Sequence, residues 1–176
     1  MGMQALGRLF DVGLCFAPVD TQSAGITGKR ISMANASGVT FLCVKAAGTA
    51  NDDPVFTLKQ HTAYTSGTSA DLAAITRVYT KQETALDNDE SWVENTQAAA
   101  ATFTGNATSA ESQMLIAFYV GADQLADGYT HLSVDLADTG SAGAQLAAGI
   151  YILHDLNVQR KPALLGNLLN PGAANA

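Results

Sequence analysis

The chain has 176 residues, enough to bury one sizeable core and too few for two ordinary domains. It is 47% hydrophobic but only 14% charged, against ~25% charged in typical soluble domains, so neighbours can cover its surface while desolvating few charges. A net charge of −7 disfavours whole-molecule attraction to nucleic acid or to an anionic membrane, and neither is expected as a partner.

Residues 1–27 mix apolar residues with Gly and Pro18 and show neither a strand nor a helix period, which predicts an N-terminal arm. The opening MGMQALGRLF has one basic residue and no apolar stretch long enough for export, so synthesis in a cytoplasm is expected. Cys15 and Cys43 each sit in an apolar run and are expected to be reduced and buried. From residue 28 the dominant period becomes two. Strands are predicted at 30–34, 39–46, 55–62, 75–82, 101–104, 113–120, 129–136 and 148–156, separated by loops rich in Gly, Asn, Asp and Ser. In the stretch from Tyr129 to Leu136, Thr130, Leu132, Val134 and Leu136 share one face, and Tyr129, His131, Ser133 and Asp135 share a wetter one.

Met114 to Val120 is apolar on both faces and predicts a central strand covered on both sides. Residues 69–75, with Ser69 as a cap, are expected to hold one or two helical turns, and 121–126 another short turn. Eight short strands with turn punctuation predict an all-β, antiparallel β-sandwich or jelly-roll-like body over 28–161. Its core is expected to hold Leu132, Val134, Leu136, Leu115, Ala117, Phe41, Leu58 and Ile152. Residues 162–176 carry two Leu pairs, two prolines and no charge, and predict a C-terminal arm.

Charge is unevenly placed. Residues 1–51 balance at +2 and residues 156–176 at +2, while the segment between sets fourteen acids against Lys59, Arg77 and Lys81. Basic ends on an acidic body suit docking onto other copies. The assembly contacts expected on this ground, with exposed apolar side chains, are Arg8, Phe10, Phe16, Arg160, Lys161, Leu164, Leu165, Leu168 and Leu169.

The chain carries little recognisable catalytic chemistry. His61, His131 and His154 fall on predicted strands without HxH or HxxxH spacing, so structural roles are expected and no metal. The acidic run Asp87-Asn88-Asp89-Glu90 lacks the Gly and the distant Glu of an EF-hand loop, and reads as a solvated loop. Gly25-Ile26-Thr27-Gly28-Lys29-Arg30 departs from a phosphate loop at Ser23 and Arg30. No GxSxG occurs, and neither cysteine has a basic activator beside it. No enzyme activity, cofactor or small-molecule substrate is expected.

The stretch TGKRISMANASGVTFLCVKAAGTANDDPVFTLKQHTAYTSGT, with AFYVGADQLADGYTHLSVDLADTG and IYILHDLNVQRKP, resembles phage and prophage virion structural proteins that decorate or cement a capsid. The resemblance covers roughly residues 27 to 163 and contains no catalytic motif. It implies a structural subunit of a virion, made in a host bacterial cytoplasm, with a major capsid protein and other copies of itself, in trimers, as partners. The alternative from another class is a carbohydrate- or receptor-binding β-sandwich module of a tail or secreted protein. Such a module needs a ligand-sized groove lined with Tyr or Trp.

Overall fold

The computed structural model describes residues 5–140 and 143–159. Eleven strands form two antiparallel sheets packed as a sandwich around one core, so the expected fold class holds. The larger sheet runs in the order β1 (Phe10–Asp20), β11 (Leu146–Leu156), β3 (Ala36–Lys45), β9 (Gln113–Gly121), β6 (Ile75–Glu83) and β7 (Val93–Ala100). The smaller joins β2 (Ile31–Ser32), β10 (His131–Leu136), β4 (Val55–His61) and β5 (Ser69–Asp71), with β8 (Thr102–Thr104) paired to the start of β4. Among the described residues no helix is long and apolar enough to cross a membrane.

Alternation fixes the core wherever one face of a strand is polar. Leu132, Val134 and Leu136 of β10 lie opposite Gln60, Leu58 and Phe56 of β4, and they meet Phe41 and Phe118 of the larger sheet. The rings of Phe41 and Phe118 are 5.2 Å apart, within the range of a favourable aromatic pair.

Three expected core residues are on the opposite face. Leu115, Ala117 and Ile152 are half-buried and point outward, while Met114, Ile116, Phe118, Val120, Tyr151 and Leu153 fill the core. Both faces of β9 and β11 are apolar, so the period could not tell one from the other. β9 is central, between β3 and β6, but the described residues cover only one of its faces.

The N-terminal segment also differs from expectation. Phe10–Asp20 is no arm but an edge strand, paired with β11 from Phe10↔His154 to Asp20↔Leu146. Register shifts between Leu14 and Phe16, and between Phe16 and Val19, put Cys15 and Phe16 both inside. Those irregularities erase the period-two signature. Ser69–Asp71 forms a strand rather than a helical turn, pairing with β4 at Lys59, Gln60 and His61. At 122–124 a short 3-10 turn does form, and Gly121 N donates to Gln124 Oε1 across it. The C-terminal arm, 162–176, lies outside the described residues.

Candidate functional site

Strand pairing assembles a broad uncharged face on the outside of the larger sheet. Leu14, Ile150, Leu42, Ala117 and Tyr79 follow one another across β1, β11, β3, β9 and β6 in a single row. The next row runs Val12, Ile152, Thr40 and Tyr119, and on the other side Ala148, Val44 and Leu115 continue it. Val12, Leu14, Val44, Tyr79 and Tyr119 are all strongly exposed. Charge appears only toward the β6–β7 side, where Arg77 pairs with Glu94 at 2.8 Å and Lys81 lies 5.6 Å over the Trp92 ring. Such a face can exclude water against another apolar surface without burying an ion.

Gly38 shapes one end of this face. A Cβ there would run into the ring of Tyr119, which lies across the glycine beside His154, with ring centroids 6.0 Å apart. His154 Nε2 in turn bonds Thr40 Oγ1 at 2.7 Å. Next to Tyr119, a shallow groove of about 600 Å³ is lined by Tyr79, Arg77, Thr76, Asp123 and Gln124.

The expected assembly contacts separate. Phe10 is half-buried on the apolar face, level with His154. Arg8 is exposed in the turn just before β1. Phe16 is in the core at 3% exposure, so as a surface contact it is corrected: the shift in β1 turns it inward against Gly149. Arg160, Lys161, Leu164, Leu165, Leu168 and Leu169 lie outside the described residues. Val12 and Val44 were missed, and only the tertiary pairing brings them together with Leu14.

The outer face of the smaller sheet is polar and carries the Lys59–Asp135 ion pair at 3.0 Å. His61 and His131 are opposite one another, and both are buried. His61 bonds Ser69 Oγ through Nδ1 at 2.7 Å and Ser133 Oγ through Nε2 at 2.8 Å. His131 Nδ1 meets Thr130 Oγ1 at 2.8 Å, while its buried Nε2 has no partner. Arg30 donates to the carbonyls of Ala63 and Ser66 and to Ser69 Oγ, strapping the 62–69 loop over the pair. Burial, and then the Arg30 charge, push the His61 pKa down to about 4, and the same causes lower that of His131. Neutral imidazoles with serine and threonine hydroxyl partners and no carboxylate hydrogen-bonded to either ring fit a structural role.

Two further polar features complete the inventory. Lys45 is buried, and its Nζ donates to the carbonyls of Ser109, Ala110 and Ser112 at 2.5, 3.1 and 2.7 Å. Burial holds its pKa down to about 8, against the pull of Asp53 and Glu111. At the turn after β6, carboxylate oxygens of Glu83, Asp89 and Glu90 lie within 4.8 Å of one another. Cys15 and Cys43 are free and buried, and burial raises both thiol pKa values, that of Cys43 to about 12.

No family model and no curated protein matches the chain. Among solved structures, the T=1 particle derived from Infectious Bursal Virus is similar at 10% identity with a TM-score of 0.25. That alignment covers 91% of this chain and 42% of the viral one, so this chain spans less than half of its length. At that TM-score the likeness does not amount to a shared fold.

Proposed function

We propose that the chain is a structural subunit of a phage virion, a capsid decoration or stabilising protein without enzymatic activity. The observation that carries this reading is the uncharged face across β1, β11, β3 and β9, which meets charge only at β6. A rigid sandwich with one such face is suited to packing against copies of itself in an assembly, and its resemblance to virion structural proteins supplies the setting. Repetition on a lattice makes many modest contacts strong together. The major capsid protein is the second partner, and the virion the location.

The test is binding to shells. Purified chain added to shells stripped of it should saturate at a fixed ratio to the major capsid protein, and Val44→Asp should weaken that binding at least tenfold. Binding that never saturates, or that ignores Val44→Asp, overturns the reading.

The groove beside Tyr79 and Tyr119 supports a second reading, a carbohydrate-binding module. Exposed aromatic rings near Asp123 and Gln124 match what a sugar's apolar face and hydroxyls require. Saturable, Tyr119-dependent shifts on titration with galactose or N-acetylglucosamine would favour it over assembly.

A further inference from the structure

The larger sheet leaves an apolar face, and the chain carries a segment with the chemistry to cover one. We infer that the leucine-bearing C-terminal segment, 162–176, seats on the outer face of the larger sheet of a neighbouring copy. The inference rests on the assembly reading above and names the partner of that face.

Three observations carry it. The first is chemical match. Leu164, Leu165, Leu168 and Leu169 form two apolar pairs with no charge among residues 162–176. The centre of the face, around Leu42 and Ile150, is likewise uncharged. Neither surface must shed an ion's hydration when they meet.

The second is charge. Residues 160–176 carry Arg160 and Lys161 and no acid. With the whole chain at −7, residues 1–159 sit at −9. A basic segment is drawn toward the acidic body of another copy, which speeds encounter even where the final contact is apolar.

The third is direction and reach. β11 runs from Leu146 to Leu156, Asn157 N still donates to Asn35 O, and the chain bends at Asn157 and Val158, at the sheet end far from Ile150. Six residues of strand separate Ile150 from Leu156, ~20 Å. The eight residues from Asn157 to Leu164 span at most ~28 Å fully extended. Returning to its own centre would consume most of that length after a reversal. A neighbour lying beyond the sheet end is reached directly. Because each copy offers one tail and one face, the contact is head-to-tail and closes into a ring if the rotation permits.

Full-length variants test this. One replaces Leu164, Leu165, Leu168 and Leu169 with Ser, disabling the tail, and the other is Val44→Asp, disabling the face at an exposed position. Sedimentation equilibrium should show each variant alone self-associating at least tenfold more weakly than the unaltered chain. Mixed, they should form a 1:1 complex, the tail of one on the face of the other. If the tail variant associates within twofold of the unaltered chain while Val44→Asp does not, the tail is not the occupant and the assembly reading survives. If Val44→Asp also associates normally, both fall. If the mixture restores nothing, or if the unaltered chain itself stays monomeric, the seat on a neighbour is refuted.

Discussion

His61 and His131 set the chain's response to acid. Both are bases held below their ordinary pKa, so between pH 6.5 and about 4 the unfolded chain binds protons more tightly than the folded one. Their contribution to stability is therefore complete above pH 6.5 and is lost as pH falls toward 4. The loss should be on the order of 3 kcal/mol, read as a falling denaturant midpoint across that range. His61→Gln should flatten the profile. Both histidines face Arg30, whose charge resists a further positive charge; at His61, His131 and Lys59 add to that resistance and Asp135 partly offsets it. Lys45 is the second sensitive residue. Lys45→Ala leaves the Ser109 and Ser112 carbonyls without their donor, while Ala110 O keeps Gly48 N and Gln145 Nε2, and should cost ~2–4 kcal/mol in equilibrium unfolding. A cost under 0.5 kcal/mol would mean that water replaces the ammonium without penalty.

The strands whose two faces differ in polarity were legible from the amino-acid order, and those whose faces match were not. β10 alternates Leu132, Val134, Leu136 against His131, Ser133, Asp135, and the structure puts the first set in the core as expected, although His131 and Ser133 on the other face are buried too. β9 offers Leu115, Ala117 and Tyr119 on one side and Met114, Ile116 and Phe118 on the other, so only the fold decides which set is inside. β7, reading VENTQAAA, has too few apolar residues to announce itself and is held by pairing along β6. β1 hides because its shifts break the alternation just where Cys15 and Phe16 turn inward. The neutral outer face was illegible because it draws its residues from five strands far apart in sequence. That placement of β1 gives a prediction for the element. Phe16→Ala should cost ~3–5 kcal/mol, as a buried ring does, whereas Leu14→Ala, on the exposed side of the same strand, should stay within about 1 kcal/mol. Equal effects at the two positions would mean that β1 is only loosely held to β11.

At the scale of the whole molecule, an acidic body with one neutral face predicts a distinctive thermodynamic signature. Association through that face should carry a negative heat-capacity change, the mark of apolar burial. Dilution calorimetry at several temperatures should show it, and a heat-capacity change near zero would argue for a polar contact instead. The manner of growth follows from β1. Its outer edge carries Pro18, which has no N–H to offer, and its two register shifts spoil the straight row of backbone groups that another strand needs. This border of the larger sheet is therefore a poor template for adding strands, so crowding the protein should not draw it into ribbons or cross-β fibres from that side. A sheet that is blunt at this rim and apolar on its flat favours face-to-face contact over edge growth, so any association should stop at finite particles.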